Sequence, residues 1–213
     1  MAEKKFSLEE ALKFGWERTK SNIGFLIGVM LVSWLAQAIP SHFEKMFKDS
    51  HSALYIVFFL ISTFVGGMVT IGLVKISLSF CDHGTGEFND LLSGLPVFAN
   101  YFVASLLFSL AVMGGCILLI VPGIILAVRL GFYPYLIIDR NMTIMESLKQ
   151  SFEVTKGSTM DLFLFGIVAV IVNLVGLVCL LVGLLVTVPV TMIATAYVYR
   201  KFFPATPISP QTM

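Results

Sequence analysis

Long apolar runs separated by short amphipathic segments set the pattern of this chain. The stretch 122–156, PGIILAVRLGFYPYLIIDRNMTIMESLKQSFEVTK, shows the unit most clearly. Pro122-Gly123 opens an apolar run that holds one cation, Arg129, before polar residues return at Asp139-Arg140. An amphipathic segment, 143–156, follows and stops at Gly157. Proline suits the first turn of a helix, where its missing N–H has no partner to lose.

The same pattern recurs elsewhere. Residues 7–20 predict an amphipathic helix, with Ser7 and Glu10 resembling a capping box. Leu8, Ala11, Leu12, Gly15 and Trp16 share one face, and Glu9, Lys13, Glu17 and Lys20 the other. Trp16 sits where an interfacial aromatic would anchor. Such a helix is expected to lie on the membrane surface, or else to extend the first span, with a break near Asn22 and Gly24. A further short amphipathic segment is expected at 87–99. Apolar runs at 23–39, 53–80, 100–121, 122–138, 161–182 and 184–203 predict six spans. Pro40 closes the first, and SHFEKMFKDSHS, 41–52, reads as a polar loop. Gly66-Gly67, Gly72 and Gly114-Gly115 let helices approach closely. Lys75, near the end of the second run, can snorkel. A tight turn is expected at 120–123, since no polar loop separates the third and fourth runs, and another at Gly183 and Pro189. The tail 204–213 carries three prolines and no apolar period, so disorder is expected. The predicted fold is all-α: a single integral membrane domain, 1–203, with six transmembrane helices as three hairpins and short cytoplasmic amphipathic helices preceding them.

Composition strengthens this reading. Apolar residues make up 57% and charged ones 13% of the 213 residues, against roughly 45–50% and 25% for a soluble domain. Nineteen Phe against thirteen acidic residues exceed what one soluble core could hide. The first twenty residues hold no apolar stretch or cleavage site of a signal peptide, so the first span is expected to direct insertion. Cys81, Cys116 and Cys179 form no CxxC pair, and neither a zinc site nor a disulfide is expected. The net charge of +1 implies no nucleic-acid partner. Its distribution matters more. With six spans, Lys4, Lys5, Lys13, Arg18, Lys20, Arg140, Lys149, Lys156, Arg200 and Lys201 share one side, leaving Lys45 and Lys48 on the other. The positive-inside rule then puts both termini in the cytoplasm of a multi-pass protein of the bacterial plasma membrane.

An internal repeat is also legible. At a shift of 136, EALKFGWERTK (10–20) faces ESLKQSFEVTK (146–156) with six identities in eleven, and Trp16 faces Phe152. Val65-Gly66, Val121-Pro122 and Val188-Pro189 mark similar points in three span pairs. Three parallel units are expected, each a short helix and two spans.

Candidate chemistry is sparse. Arg129 is an intramembrane charge, costing about 2.5–3.5 kcal/mol on insertion scales, and by default marks a site. It is read as an anion or head-group ligand or as a partner of Asp139 or Asp161. The competing reading is a snorkelling or structural residue, bonded to carbonyls, Asn173 or the Tyr133 and Tyr135 hydroxyls. Asn173 is the second candidate ligand-binding residue, with interhelical hydrogen bonding its expected role. Thr187, Thr191 and Thr195 form a packing stripe. Lys13, Trp16, Lys20, Lys149, Phe152 and Lys156 are the expected membrane-surface residues. Glu146 and Glu153 interleave with Lys149 and Lys156 as a solvated face. His42, Glu44, Asp49 and His51 are of metal-ligand type, but the spacing is unspecific, and a solvated loop explains them. GxSxG, HExxH, GxxxxGK[ST] and GxGxxG are absent. No catalytic residue, metal or cofactor is expected, and no enzymatic activity.

PGIILAVRL, Tyr133-Pro134, Ile138-Asp139, ESLKQSFEVTKG and VPVTMIATAYVYRKF together resemble a large, mostly uncharacterised bacterial family. Its six-span members are described as glycerophosphoryl diester phosphodiesterase membrane domain-like. The resemblance covers 88–203 best. It implies the fold and the location. Some relatives carry a soluble phosphodiesterase domain for which this chain has no room, so hydrolytic activity is not expected to carry over. The function expected is binding: of membrane lipid, anionic lipid included, or of a membrane-protein partner, a second copy of the chain included. The rival is a small transporter or channel with Arg129 lining the path.

Overall fold

The computed structural model describes residues 6–48, 53–179 and 182–205, and no strand occurs among them. Among the described residues nine α-helices follow in order: α1 (Leu8–Ser21), α2 (Ile23–Phe47), α3 (Ala53–Asp82), α4 (Leu95–Leu118), α5 (Ile120–Leu130), α6 (Tyr133–Arg140), α7 (Ile144–Val154), α8 (Thr159–Val178) and α9 (Leu184–Phe202). Five stretches are long and apolar enough to cross a membrane: α2, α3, α4, the α5–α6 pair taken as Ile120–Arg140, and α8. The sixth expected span, α9, falls outside that set. It carries three threonines, Pro189, Arg200 and Lys201, and it is more enclosed than α2, α3, α4 or α8, burying Val190, Ile193, Ala194, Ala196, Val198 and Tyr199. A helix shielded by α1, α2, α3 and α8 needs little apolar surface to face lipid.

Several boundaries differ from the expectation, each for a packing reason. Residues 41–47 continue α2 through Pro40 instead of forming a loop. Phe43 and Phe47 both stack on Phe58 of α3, at 5.2 and 5.7 Å between ring centroids, which outweighs the single helix bond a proline removes. Asp49 and His51 lie outside the described residues, as do Lys4, Lys5 and 206–213 of the expected tail. The segment 87–99 is not one amphipathic helix. A short 3-10 turn, Phe88–Leu91, precedes α4, which starts at Leu95 with Pro96 in its first turn. The expected span 122–138 is two helices, parted at Gly131-Phe132. The turn between α4 and α5 is the single extended residue Leu119. Glycines face each other across it, since a β-carbon on Gly115 would meet the Gly123 backbone.

The three short segments share one packing scheme. Helix α1 runs antiparallel along α9. Phe6 meets Phe202 at 6.0 Å, Phe14 stacks on Tyr197 at 4.7 Å, and Gly15 abuts the Val190 carbonyl and Ala194. Ala11, Gly15 and Thr19 form the buried stripe. Helix α1 is thus docked lengthwise on a neighbour through small residues, with Leu8, Leu12 and Phe14 packed around them, while Trp16 stays exposed. Residues 86–94 run back along α3, where a β-carbon on Gly72 would strike Leu91. Lys75 spans this contact, its Nζ donating to the Ser93 carbonyl at 2.8 Å and to Ser93 Oγ at 3.0 Å. Helix α7 lies against α5 and α6 through Ser147, Ser151 and Thr155, all fully buried. In lipid, apolar burial does not drive helices together; close approach and hydrogen bonds do. Small and hydroxyl side chains at these contacts fit that requirement.

Candidate functional site

The ends of α3, α6 and α9 converge on a charge cluster. Arg200 donates from Nε to Asp82 Oδ1 at 2.9 Å and from Nη2 to Asp82 Oδ2 at 2.6 Å. It also donates to both oxygens of Asp139, at 2.7 and 2.8 Å. The Tyr199 hydroxyl donates to Asp139 Oδ2 at 2.8 Å. Two forked carboxylate pairs on one guanidinium are the strong form of this interaction. Side-chain exposure is 13% for Arg200, 22% for Asp82 and 16% for Asp139, so water screens the cluster little. Arg140 borders the cluster, its Nε 3.8 Å from Asp139 Oδ2, while its Nη2 donates to the Pro204 carbonyl at 3.0 Å and its guanidinium lies 5.1 Å from the Phe203 ring centre. Every oxygen of the two carboxylates is engaged. The cluster fastens three helix ends and offers no free group to a ligand. Residue types alone gave no signal for it, because Asp82 and Arg200 lie 118 positions apart.

Arg129 stands at the last turn of α5, and its expected partnership with Asp139 or Asp161 does not occur. Asp139 is taken by Arg200 and Tyr199. Arg129 instead donates from Nη2 to the Phe152 carbonyl at 2.8 Å and lies 3.4 Å above the Phe152 ring centre. Its Nε is buried without an acceptor among the described residues. The cation therefore caps the C-terminal end of α7, where carbonyls lack helix partners and the helix dipole favours positive charge. The contact is reciprocal. Ser151 Oγ and Thr155 Oγ1 donate to the Arg129 carbonyl at 2.8 and 3.2 Å, and Ser151 Oγ accepts from Phe132 N at 3.1 Å. These hydroxyls satisfy the backbone where α5 breaks, which lipid could not do.

Asn173 keeps the interhelical role expected of it. Its Nδ2 donates to Thr191 Oγ1 at 3.1 Å, joining α8 to α9, so Asn173 and Arg129 are not brought together. Thr191 and Thr195 return their hydroxyls to the carbonyls of Thr187 and Thr191. Lys13, Trp16, Lys20, Lys149 and Lys156 lie exposed, whereas Phe152 is half-buried beneath Arg129. Glu9, Glu17, Glu146 and Glu153 share those exposed faces, so neither helix presents a purely cationic surface. Glu146 accepts from Thr143 Oγ1 at 2.8 Å and Thr143 N at 3.3 Å, bonds that hold its carboxyl below the usual range. Among the described residues no group of His, Cys, Asp and Glu could hold a metal.

Apolar clefts remain between helices. One of about 400 Å³ separates α5 from α8 and is lined by Ile124, Ile125, Val128, Met160 and Phe163. One of about 390 Å³ lies where α2 meets α9, between Met30, Leu31, Trp34, Leu185 and Val188. A third, of about 370 Å³, lies where α2 and α3 meet the start of α4, lined by Val32, Ala36, Phe64, Met68 and Leu95. Exposed side chains such as Met160, Leu31 and Leu95 stand at their mouths. No family model, curated protein or solved structure matches this chain.

Proposed function

We propose that this chain is a non-enzymatic integral membrane protein that binds membrane lipid in apolar clefts between repeated helical units. In this reading it crosses a bacterial plasma membrane six times as three hairpins: α2–α3, α4 with α5–α6, and α8–α9. Helix α9 serves as the sixth span despite its polar residues, because neighbours enclose it. Both termini face the cytoplasm, as the basic residues at that end favour.

The repeat supports this architecture. At the shift of 136, Ala11, Gly15 and Thr19 correspond to Ser147, Ser151 and Thr155, and both triads are buried. Each short segment packs on the last span of another unit: α1 on α9, 86–94 on α3, α7 on α5–α6. The units therefore close in a ring, and Asp82, Asp139 and Arg200 tie their last spans at one end.

The observation that carries the function is the placing of the three apolar clefts, one at each junction between units. Spaces of about 400 Å³ lined by apolar side chains and open at the flank fit acyl chains. The transporter reading draws less support, since Arg129 is engaged by Phe152 rather than left facing a path. Native mass spectrometry from a gentle detergent tests the proposal. The expected result is phospholipid retained by the wild type, with one fewer molecule retained by a Val128→Trp variant that fills the α5–α8 cleft. A wild type that strips bare of every lipid, while staying folded, would contradict it.

A further inference from the structure

A further groove, about 530 Å³, lies away from the charge cluster, on the half of α2 that runs beyond α9. Its lining is mixed: Gln37, Ser41, His42 and Lys45 of α2 and Ser62 of α3 are polar, and Trp34 and Ala38 complete it. These α2 positions recur at helical spacing and form one stripe. Trp34 lines this groove and also the apolar cleft between α2 and α9. The two spaces are therefore neighbours along one helix, apolar at Met30 and Leu31 and polar at Lys45. Trp34 to Lys45 is eleven residues, about 16 Å of helix.

From this juxtaposition we infer that α2 carries a composite site for a lipid with a net-negative phosphate head group, its acyl chain in the α2–α9 cleft and its phosphate at His42 and Lys45. The inference rests on the lipid-binding reading above and names the ligand class at one of its clefts. Position agrees with it. Ser62 lies twenty residues before Asp82 on α3, about 30 Å along the helix axis, which matches the hydrocarbon thickness of a bilayer. With the charge cluster at one membrane surface, the groove lies toward the other.

Charge agrees as well. Lys45 is exposed and has no carboxylate partner among the described residues. Glu44, its neighbour in sequence, is not part of the groove lining. Ser62 Oγ is buried and unpaired, a donor left for a bound acceptor. Gln37 uses one amide hydrogen on the Ser33 carbonyl at 3.2 Å and retains its other donor. A phosphate diester supplies the acceptors these donors lack, and a tryptophan between apolar and polar zones is the ordinary interfacial arrangement.

The test is a lipid titration of the full-length protein in detergent, read by native mass spectrometry, with phosphatidylglycerol, phosphatidylcholine and inorganic phosphate as separate probes. Phosphatidylglycerol is expected to bind more tightly than phosphatidylcholine. Lys45→Glu should weaken phosphatidylglycerol about tenfold, the size of one lost charge-assisted contact, while Lys45→Arg keeps it. Leu185→Trp, which fills the tail cleft, should weaken both lipids. Equal binding of the two lipids, indifferent to Lys45→Glu, would overturn this site while leaving lipid binding in place. Inorganic phosphate binding as tightly as phosphatidylglycerol would also overturn it, by showing an anion site that makes no use of the cleft. Retention of no lipid at all would remove both the site and the function it rests on.

Discussion

At the scale of single residues, two arginines carry most of the electrostatic weight, and they do different work. Arg200 holds two carboxylates from two other helices, so removing it strands charges that water reaches poorly. Arg200→Met is expected to lower stability by about 3 kcal/mol, seen as an earlier thermal melt in detergent. Adding Asp82→Asn and Asp139→Asn should recover part of the loss. A melt unchanged by Arg200→Met would mean the cluster holds nothing. Arg129 is bound to a backbone carbonyl and an aromatic face. Arg129→Gln should therefore lower the melting temperature through α7 and leave lipid retention as it was; loss of a specific lipid with unchanged stability would instead make Arg129 a ligand. The anomaly of Arg129 was legible as a lone cation in an apolar run. Its partner was not, because a carbonyl acceptor at Phe152 leaves no mark on residue type. Nor could Asp139 be assigned correctly, since the competing cation, Arg200, lies in a distant helix.

At the scale of elements, the short helices matter more than their amphipathic look conveys. Helical spacing correctly placed α1 and α7, and on α1 it already put Ala11 and Gly15 on the apolar face beside Leu8, Leu12 and Trp16. The structure uses Ala11, Gly15 and Thr19, and Ser147, Ser151 and Thr155, because helices in lipid gain from close approach rather than from apolar area. Gly15→Leu is expected to destabilise the protein by about 1–3 kcal/mol through overpacking against the Val190 carbonyl. The matching change in α7, Ser151→Val, should cost a similar amount by orphaning the Phe132 amide and one bond to the Arg129 carbonyl. Thermal melts of the two variants and of the exposed control Lys13→Ala check this. Equal melts for all three would mean neither contact supports the bundle. Where the sequence misled about boundaries, a tertiary contact had overridden a local signal. Phe43 and Phe47 on Phe58 carried α2 past Pro40, and hydroxyls of α7 satisfied a break at Gly131-Phe132 that an uninterrupted apolar run concealed.

At the scale of the whole molecule, helices α2, α3, α4 and α8 and the α5–α6 pair follow directly from apolar length. Helix α9 is the exception, and the six-span arrangement depends on it. If α9 crosses the membrane, the three units are equivalent, the short segments close a ring, and the polar groove of α2 faces the outer leaflet. Single-cysteine labelling with a membrane-impermeant maleimide decides the matter, in a protein with Cys81, Cys116 and Cys179 replaced by alanine. The reporters are Glu9→Cys, Lys48→Cys and Ala205→Cys, each at an exposed position. In intact cells the six-span arrangement predicts labelling of the Lys48→Cys variant alone, with the other two reacting only after the membrane is opened. Labelling of Ala205→Cys in intact cells while Glu9→Cys stays protected would put the two ends on opposite sides and contradict the six-span, three-unit arrangement.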